Sequence, residues 1–193
     1  MRLLFLYLTY GKTMIFNYKD CIEHYGTDYK IKQALAEKTL FQKEKGLYSD
    51  KEFCSELELI VAKYPRAVFT GESAFYYYGF TDVIPTHYFM ATRREDTRIK
   101  DKRVEQAFVK DSLYDFDKVT IEYQNVEISI YSRERLLVDL IRFKSKVPFE
   151  YYKEIICAYR KIVNELDFFK IKDYAAMLKR GDKILDIIQL EVL

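Results

Sequence analysis

The chain has 193 residues, of which 49% are hydrophobic and 32% are charged, and its formal net charge is +2. This composition is that of an ordinary globular protein and excludes a low-complexity or disordered chain. The charge is too close to neutral to indicate nucleic-acid binding by itself, so any basic surface must come from local clustering.

The opening residues and the cysteines bear on the cellular compartment. The apolar run within residues 1–13 is too short to span a bilayer. No small-residue cleavage site follows it, so we expect an extended start before an alternative initiator, Met14, or an apolar segment packed on the fold, rather than a signal peptide.

Cys21, Cys54 and Cys157 lack the paired spacings of a disulfide framework or a zinc site. We therefore expect buried, reduced thiols in a cytoplasmic protein that needs no metal, cofactor or membrane.

Residues 1–50 have the pattern of a winged helix-turn-helix domain. Asn17 can cap a first helix, Gly26 ends it, and Thr27 can cap a second helix. Residues 40–49 predict two short strands around a Lys45-Gly46 turn. Two helices joined by a tight glycine turn and followed by a basic hairpin are typical of this DNA-binding motif.

Residues 51–193 predict an α+β domain with a helical C-terminal end. An amphipathic helix is followed by a short buried strand, a helix from Gly71 and another strand. Two further strands flank Gln124-Asn125, which is a plausible hairpin turn. From Ser132 onward the pattern is helical, with an interruption at Gly181.

The second predicted helix carries a candidate surface for reading DNA. With Ile31 and Ala34 turned inward, its opposite side presents a glutamine that can bond an adenine edge and lysines that can neutralise phosphate. Acidic neighbours on the same segment leave a second interpretation open, that of a solvated face on a small accessory bundle. The predicted DNA-binding residues are Tyr29, Lys30, Lys32, Gln33, Lys38, Lys43 and Lys45.

A mixed-charge segment near the middle of the chain is a second basic candidate. Runs that mix both signs are usually hydrated loops, and the functional alternative is a nucleic-acid contact or another functional patch. Its basic residues are Arg93, Arg94, Arg98, Lys100, Lys102 and Arg103.

We predict no catalytic or metal-binding residue. A nucleotidyltransferase needs a Gly-Ser turn followed by two carboxylates on one strand, whereas Ala74 and Phe75 follow Ser73. A metal nuclease needs a lysine where Ser129 stands, two residues after Glu127. The sequence also contains no P-loop, GxSxG or HExxH motif.

Three segments together resemble the AbiEi-type antitoxins of bacterial type IV toxin–antitoxin systems. They are EKGLYS at 44–49, TGESAFYYYGFTDVIP at 70–85 and SRERLLVDLIR at 132–142, and their order and spacing carry the resemblance over residues 17–165. The matching positions are Glu72, Ser73, Ala74, Gly79, Pro85, Arg133, Glu134, Arg135, Leu137, Asp139 and Leu140.

The resemblance implies an abortive-infection antitoxin that takes part in phage defence. Its winged helix would bind operator DNA and repress its own operon. Residues 51–193 would counter a nucleotidyltransferase toxin without a stable complex, and the basic residues between 93 and 103 are a possible antitoxin patch. Because one such helix reads too few base pairs to be selective, we expect self-association on the DNA. Two alternatives stay open: a divergent metal-dependent nucleic-acid-processing enzyme that uses Glu72, Asp82 and Glu127, or a non-catalytic interaction module.

Overall fold

A computed structural model describes residues 13–193, and it has the mixed α+β architecture that the sequence predicts. The apolar leader, residues 1–12, lies outside the described residues. The described chain divides into two units, one of residues 13–66 with 124–126 and one of residues 67–123 with 127–193.

The first unit is a three-stranded antiparallel sheet with helices. Its elements are β1 (Ile15–Asn17), α1 (Tyr18–Tyr25), α2 (Asp28–Ala36), β2 (Phe41–Glu44), β3 (Leu47–Ser49) and α3 (Glu56–Lys63). The strand order is β1-β3-β2, with β3 in the centre. The predicted helix pair and hairpin are therefore confirmed as elements.

Local capping fixes where the two N-terminal helices begin and end. Asn17 and Asp20 form a reciprocal capping box at the start of α1, with distances of 3.0 and 3.1 Å. Gly26 ends α1 at φ 87°, a backbone conformation that L side chains rarely adopt. The Thr27 hydroxyl then accepts a hydrogen bond from the amide of Lys30 and starts α2.

A small apolar cluster holds these helices on the sheet. Its fully buried members are Cys21, Ile31, Ala34, Leu40 and Tyr48. Because Ile31 and Ala34 occupy one side of α2, the other side of the helix remains in solvent.

The first unit extends beyond residue 50, where the sequence placed the domain boundary. Helix α3 packs against β1 and belongs to this unit, which ends at Arg66. Leu57 and Ile60 give α3 a buried side, and that apolar side must be covered for the helix to be stable.

The second unit begins with a five-stranded mixed sheet. Its elements up to the last strand are β4 (Val68–Phe69), α4 (Gly71–Tyr77), β5 (Tyr88–Arg93), β6 (Val104–Val109), α5 (Asp111–Tyr114), β7 (Lys118–Tyr123) and β8 (Val126–Tyr131). The order is β6-β5-β4-β8-β7; β5 runs antiparallel to β4 and parallel to β6. The predicted turn between β7 and β8 is confirmed, with positive φ at both Gln124 and Asn125.

Helices complete the second unit. They are α6 (Arg133–Arg142), α7 (Phe149–Lys161), α8 (Phe168–Ala176) and α9 (Gly181–Glu191), with short 3-10 turns at Lys144–Lys146 and Val163–Glu165. Helix α6 packs against both α8 and α9. None of the helices formed by residues 13–193 is long and apolar enough to cross a membrane.

The expectation of buried thiols is correct for only one cysteine. Cys21 is buried in the cluster of the first unit, but Cys54 is half-buried and Cys157 is exposed. Cys157 lies on α7, whose buried stripe runs instead through Ile155, Ile156 and Tyr159.

Gly26 and Lys38 flank α2 and both have positive φ, but substitutions at these two positions should affect stability differently. Gly26→Ala forces a side chain into an unfavourable backbone conformation, and we expect it to destabilise the first unit by about 1–2 kcal/mol. Lys38 already has a φ of 56°, so Lys38→Gly relieves strain and should change stability by no more than about 0.5 kcal/mol. Hydrogen exchange of the α2 amides measures both effects, and equal losses in the two variants would contradict this account.

Candidate functional site

The exposed side of α2 collects the predicted reading residues. Tyr29 is 77% exposed, and Lys30, Lys32 and Gln33 are also exposed on the nine-residue helix. Tyr29, Lys32 and Gln33 lie on the side away from the buried Ile31, as the sequence predicts, and Lys30 lies to one side. The helix therefore presents an aromatic hydroxyl, an amide and ammonium groups together to solvent.

Carboxylates of the same helix region occupy two of these groups. Lys32 Nζ lies 2.8 Å from Asp28 Oδ2, and Gln33 Nε2 donates to Glu37 Oε1 at 2.8 Å. Both contacts are solvent-exposed. Exposed ion pairs and hydrogen bonds between neighbouring side chains of a helix contribute only a few tenths of a kcal/mol to its stability. Lys32 and Gln33 can therefore exchange these carboxylates for another partner at little cost in free energy.

The remaining lysines of the predicted set lie in different local settings. Lys45 is exposed in the turn between β2 and β3, beside Gly46. Lys43 is half-buried; its ammonium donates to the carbonyl of Glu52 and lies 5.3 Å from the Phe41 ring centroid. Lys38 is exposed just after α2. The structure thus leaves Lys38 and Lys45 available, whereas Lys43 already has an internal partner.

The central basic segment divides into two kinds of residue. Arg93 pairs with Asp115 and lies over the Tyr114 ring, and Arg103 donates to Asp101 at 2.7 and 2.9 Å. Arg93 therefore joins the end of β5 to the residues around α5, whereas the partner of Arg103 lies within its own loop. The exposed members of the segment are Arg94, Arg98, Lys100 and Lys102.

A cavity of about 630 Å³ lies in the second unit. Its wall comes from the β4–α4 junction, strand β6, and helices α5, α6 and α8. Apolar side chains such as Phe75, Phe89 and Leu136 form much of the lining. Ligand pockets are typically of this size and combine an apolar wall with a few polar groups.

Arg135 is the most deeply buried charge of this cavity wall, with a relative exposure of 1%. Its Nη1 donates to the carbonyl oxygen of Leu113 at 2.6 Å and to that of Phe116. The guanidinium carbon lies 3.3 Å from the Tyr131 ring centroid. Its Nε has no hydrogen-bond acceptor within the described chain, so the side chain retains one unused donor.

Asp139 lies one helical turn beyond Arg135 and is held by three neighbours. The Tyr174 hydroxyl donates to its two carboxylate oxygens at 3.1 and 3.2 Å. Arg142 Nη1 lies 3.5 Å from one oxygen, and Arg135 Nε lies 3.7 Å from the other, too far for a hydrogen bond. Burial raises the pKa of Asp139 despite the two guanidinium groups, which act in the opposite direction.

From the sequence, Arg135 and Asp139 are predicted only as positions that match the family resemblance and not as members of a site. A signal for them exists in the sequence, because Arg135 and Asp139 are four residues apart in a segment that is apolar on several sides. The contribution of Tyr174 from α8 depends on tertiary packing, and no local pattern indicates it.

Among the residues considered for catalysis, Ser73 has a structural role. Ser73 is fully buried; its hydroxyl donates to the His87 carbonyl at 3.2 Å and accepts from the Phe89 amide at 2.9 Å, which ties α4 to β5. Within residues 13–193, no group of three or more His, Cys, Asp or Glu side chains is arranged to hold a metal ion. Glu72, Asp82 and Glu127 consequently do not form such a group.

No protein-family model and no curated protein sequence matches the chain.

We expect Arg135→Met to destabilise the second unit by about 3 kcal/mol. The substitution leaves the carbonyls of Leu113 and Phe116 without their donor and removes a guanidinium from beside Asp139. Urea unfolding followed by circular dichroism measures the loss. Arg98→Met, in the exposed loop, is the matched control and should stay within about 0.5 kcal/mol of wild type. Equal stability of the two variants would refute a supporting role for Arg135.

Proposed function

We propose that the chain is a DNA-binding autorepressor and antitoxin of a type IV toxin–antitoxin operon, with a winged helix-turn-helix in the first unit. The observation that supports DNA binding is the exposed side of α2, where Tyr29, Lys32 and Gln33 lie together opposite a buried apolar side. The antitoxin role rests on the resemblance of the three sequence segments.

In this proposal α2 enters the major groove. Gln33 bonds an adenine edge through its amide, and Lys32 contacts phosphate after leaving Asp28. The exchange costs little, because the Lys32–Asp28 pair is exposed and screened by salt. Asp28 itself opposes binding, since its carboxylate lies on a surface that approaches the phosphates.

The hairpin of β2 and β3 acts as the wing. Lys45 in its turn reaches the neighbouring phosphates, and Lys43 contributes only if it releases the Glu52 carbonyl. One nine-residue helix reads too few base pairs for selective repression, so we infer that two copies bind repeated half-sites.

The second unit would counter a nucleotidyltransferase toxin. Most positions that match the family are buried, among them Ser73, Glu134 and Arg135. They therefore maintain the fold, and the antitoxin activity must use exposed groups. Arg98, Lys100 and Lys102 form the exposed basic segment that we assign to this activity.

Removing the reading groups should weaken DNA binding. We expect Lys32→Ala/Gln33→Ala to bind the duplex upstream of its own reading frame about 10- to 100-fold more weakly and to reduce the salt slope by about one. Fluorescence anisotropy at several salt concentrations measures both quantities. A scrambled duplex of equal composition separates specific from non-specific affinity.

Two further variants sharpen this test. Lys172→Ala/Gln189→Ala removes the same groups from exposed positions of α8 and α9 and should leave binding unchanged. Asp28→Asn removes the acidic competitor of Lys32 and should tighten binding several-fold. Indistinguishable affinities for all these proteins would exclude α2 as the reading helix.

The antitoxin role predicts rescue of growth. Co-expression with a nucleotidyltransferase toxin encoded beside this gene should restore colony formation, and Arg98→Ala/Lys100→Ala/Lys102→Ala should reduce the rescue. With both genes under inducible promoters, Lys32→Ala/Gln33→Ala should rescue as well as wild type, because repression is bypassed. Failure of folded wild-type protein to rescue would remove the antitoxin assignment and leave the DNA-binding assignment unaffected.

A further inference from the structure

The side chains that line the cavity of the second unit carry more positive than negative charge. Five cationic side chains line it, and Asp139 is the single anionic one: the cations are Arg94, Lys110, Arg135, Arg142 and Lys179. Asp139 is already engaged by Tyr174, Arg142 and Arg135. The cavity therefore keeps a surplus of positive charge.

Three of these cations are available to a ligand. Arg94, Lys110 and Lys179 are exposed, and none of them makes an ion pair with another described residue. Deeper in the wall, the buried Nε of Arg135 has no hydrogen-bond acceptor, and the Asp139 carboxylate lies 3.7 Å from it.

The mouth of the cavity carries exposed apolar surface. Phe108 is 47% exposed, Phe143 39% and Met177 44%, and all three line the cavity. Phe108 belongs to β6, which is one of the two edge strands of the sheet formed by the described residues. Apolar groups at a concave opening favour a ligand that brings apolar surface of its own.

We propose that this cavity binds a small organic anion, with one carboxylate or phosphate on an apolar body. The anionic group lies among Arg94, Lys110 and Lys179, and the body contacts the apolar wall. A volume of about 630 Å³ accommodates either a medium-length alkyl chain or a flat aromatic system.

Isothermal titration of the full chain with matched probes tests this proposal. Dodecanoate and 2-naphthyl phosphate represent the alkyl and aromatic bodies, dodecanol and 2-naphthol are their neutral counterparts, and inorganic phosphate is the anion alone. At least one organic anion should bind 10-fold or more tightly than its neutral counterpart, and phosphate alone should bind more weakly still. The preferred anion identifies the body.

Two substitutions with different mechanisms locate the binding. Lys110→Gln/Lys179→Gln removes charge from exposed positions and should weaken the preferred anion at least 10-fold while leaving the neutral compound unchanged. Ala107→Trp fills the cavity from the exposed face of β6 and should abolish binding of both. Lys161→Gln/Lys172→Gln is the matched control outside the lining and should bind like wild type. Equal binding of charged and neutral probes, or wild-type affinity in Ala107→Trp, would overturn the proposal.

Discussion

Burial of a few side chains on one side of α2 determines which groups the first unit can offer to a partner. Ile31 and Ala34 are buried with Cys21, Leu40 and Tyr48, and a unit of this size has little other apolar surface to hold the helix. Rotating α2 would bring lysines into the cluster at a cost of several kcal/mol. The exposure of Tyr29, Lys32 and Gln33 is thus a consequence of core packing.

The second unit depends in a comparable way on a charge that is buried. The Arg135 guanidinium satisfies two carbonyl oxygens near α5 and lies against Tyr131, so it joins α6 to the α5 segment. Such a charge is costly to bury, and its hydrogen bonds and the nearby Asp139 carboxylate offset that cost.

Local chemistry explains which parts of the fold could be predicted. The caps at Asn17 and Thr27, the turn at Gly26 and the hairpin at Gln124-Asn125 each follow from residues within one turn of the chain. Strand β6 escaped prediction because consecutive polar residues and an exposed alanine interrupt its alternation. The inclusion of α3 in the first unit and the assembly of the cavity depend on long-range packing, which no local pattern encodes.

Contact between the exposed side of α2 and DNA can be measured directly by the backbone amide chemical shifts of the full chain. On addition of the upstream duplex, we predict that the largest changes fall on residues 28–38 and on the turn at 44–46, and that they diminish as salt is raised. Changes confined to residues 67–193, or no change at DNA concentrations that saturate binding, would contradict the account.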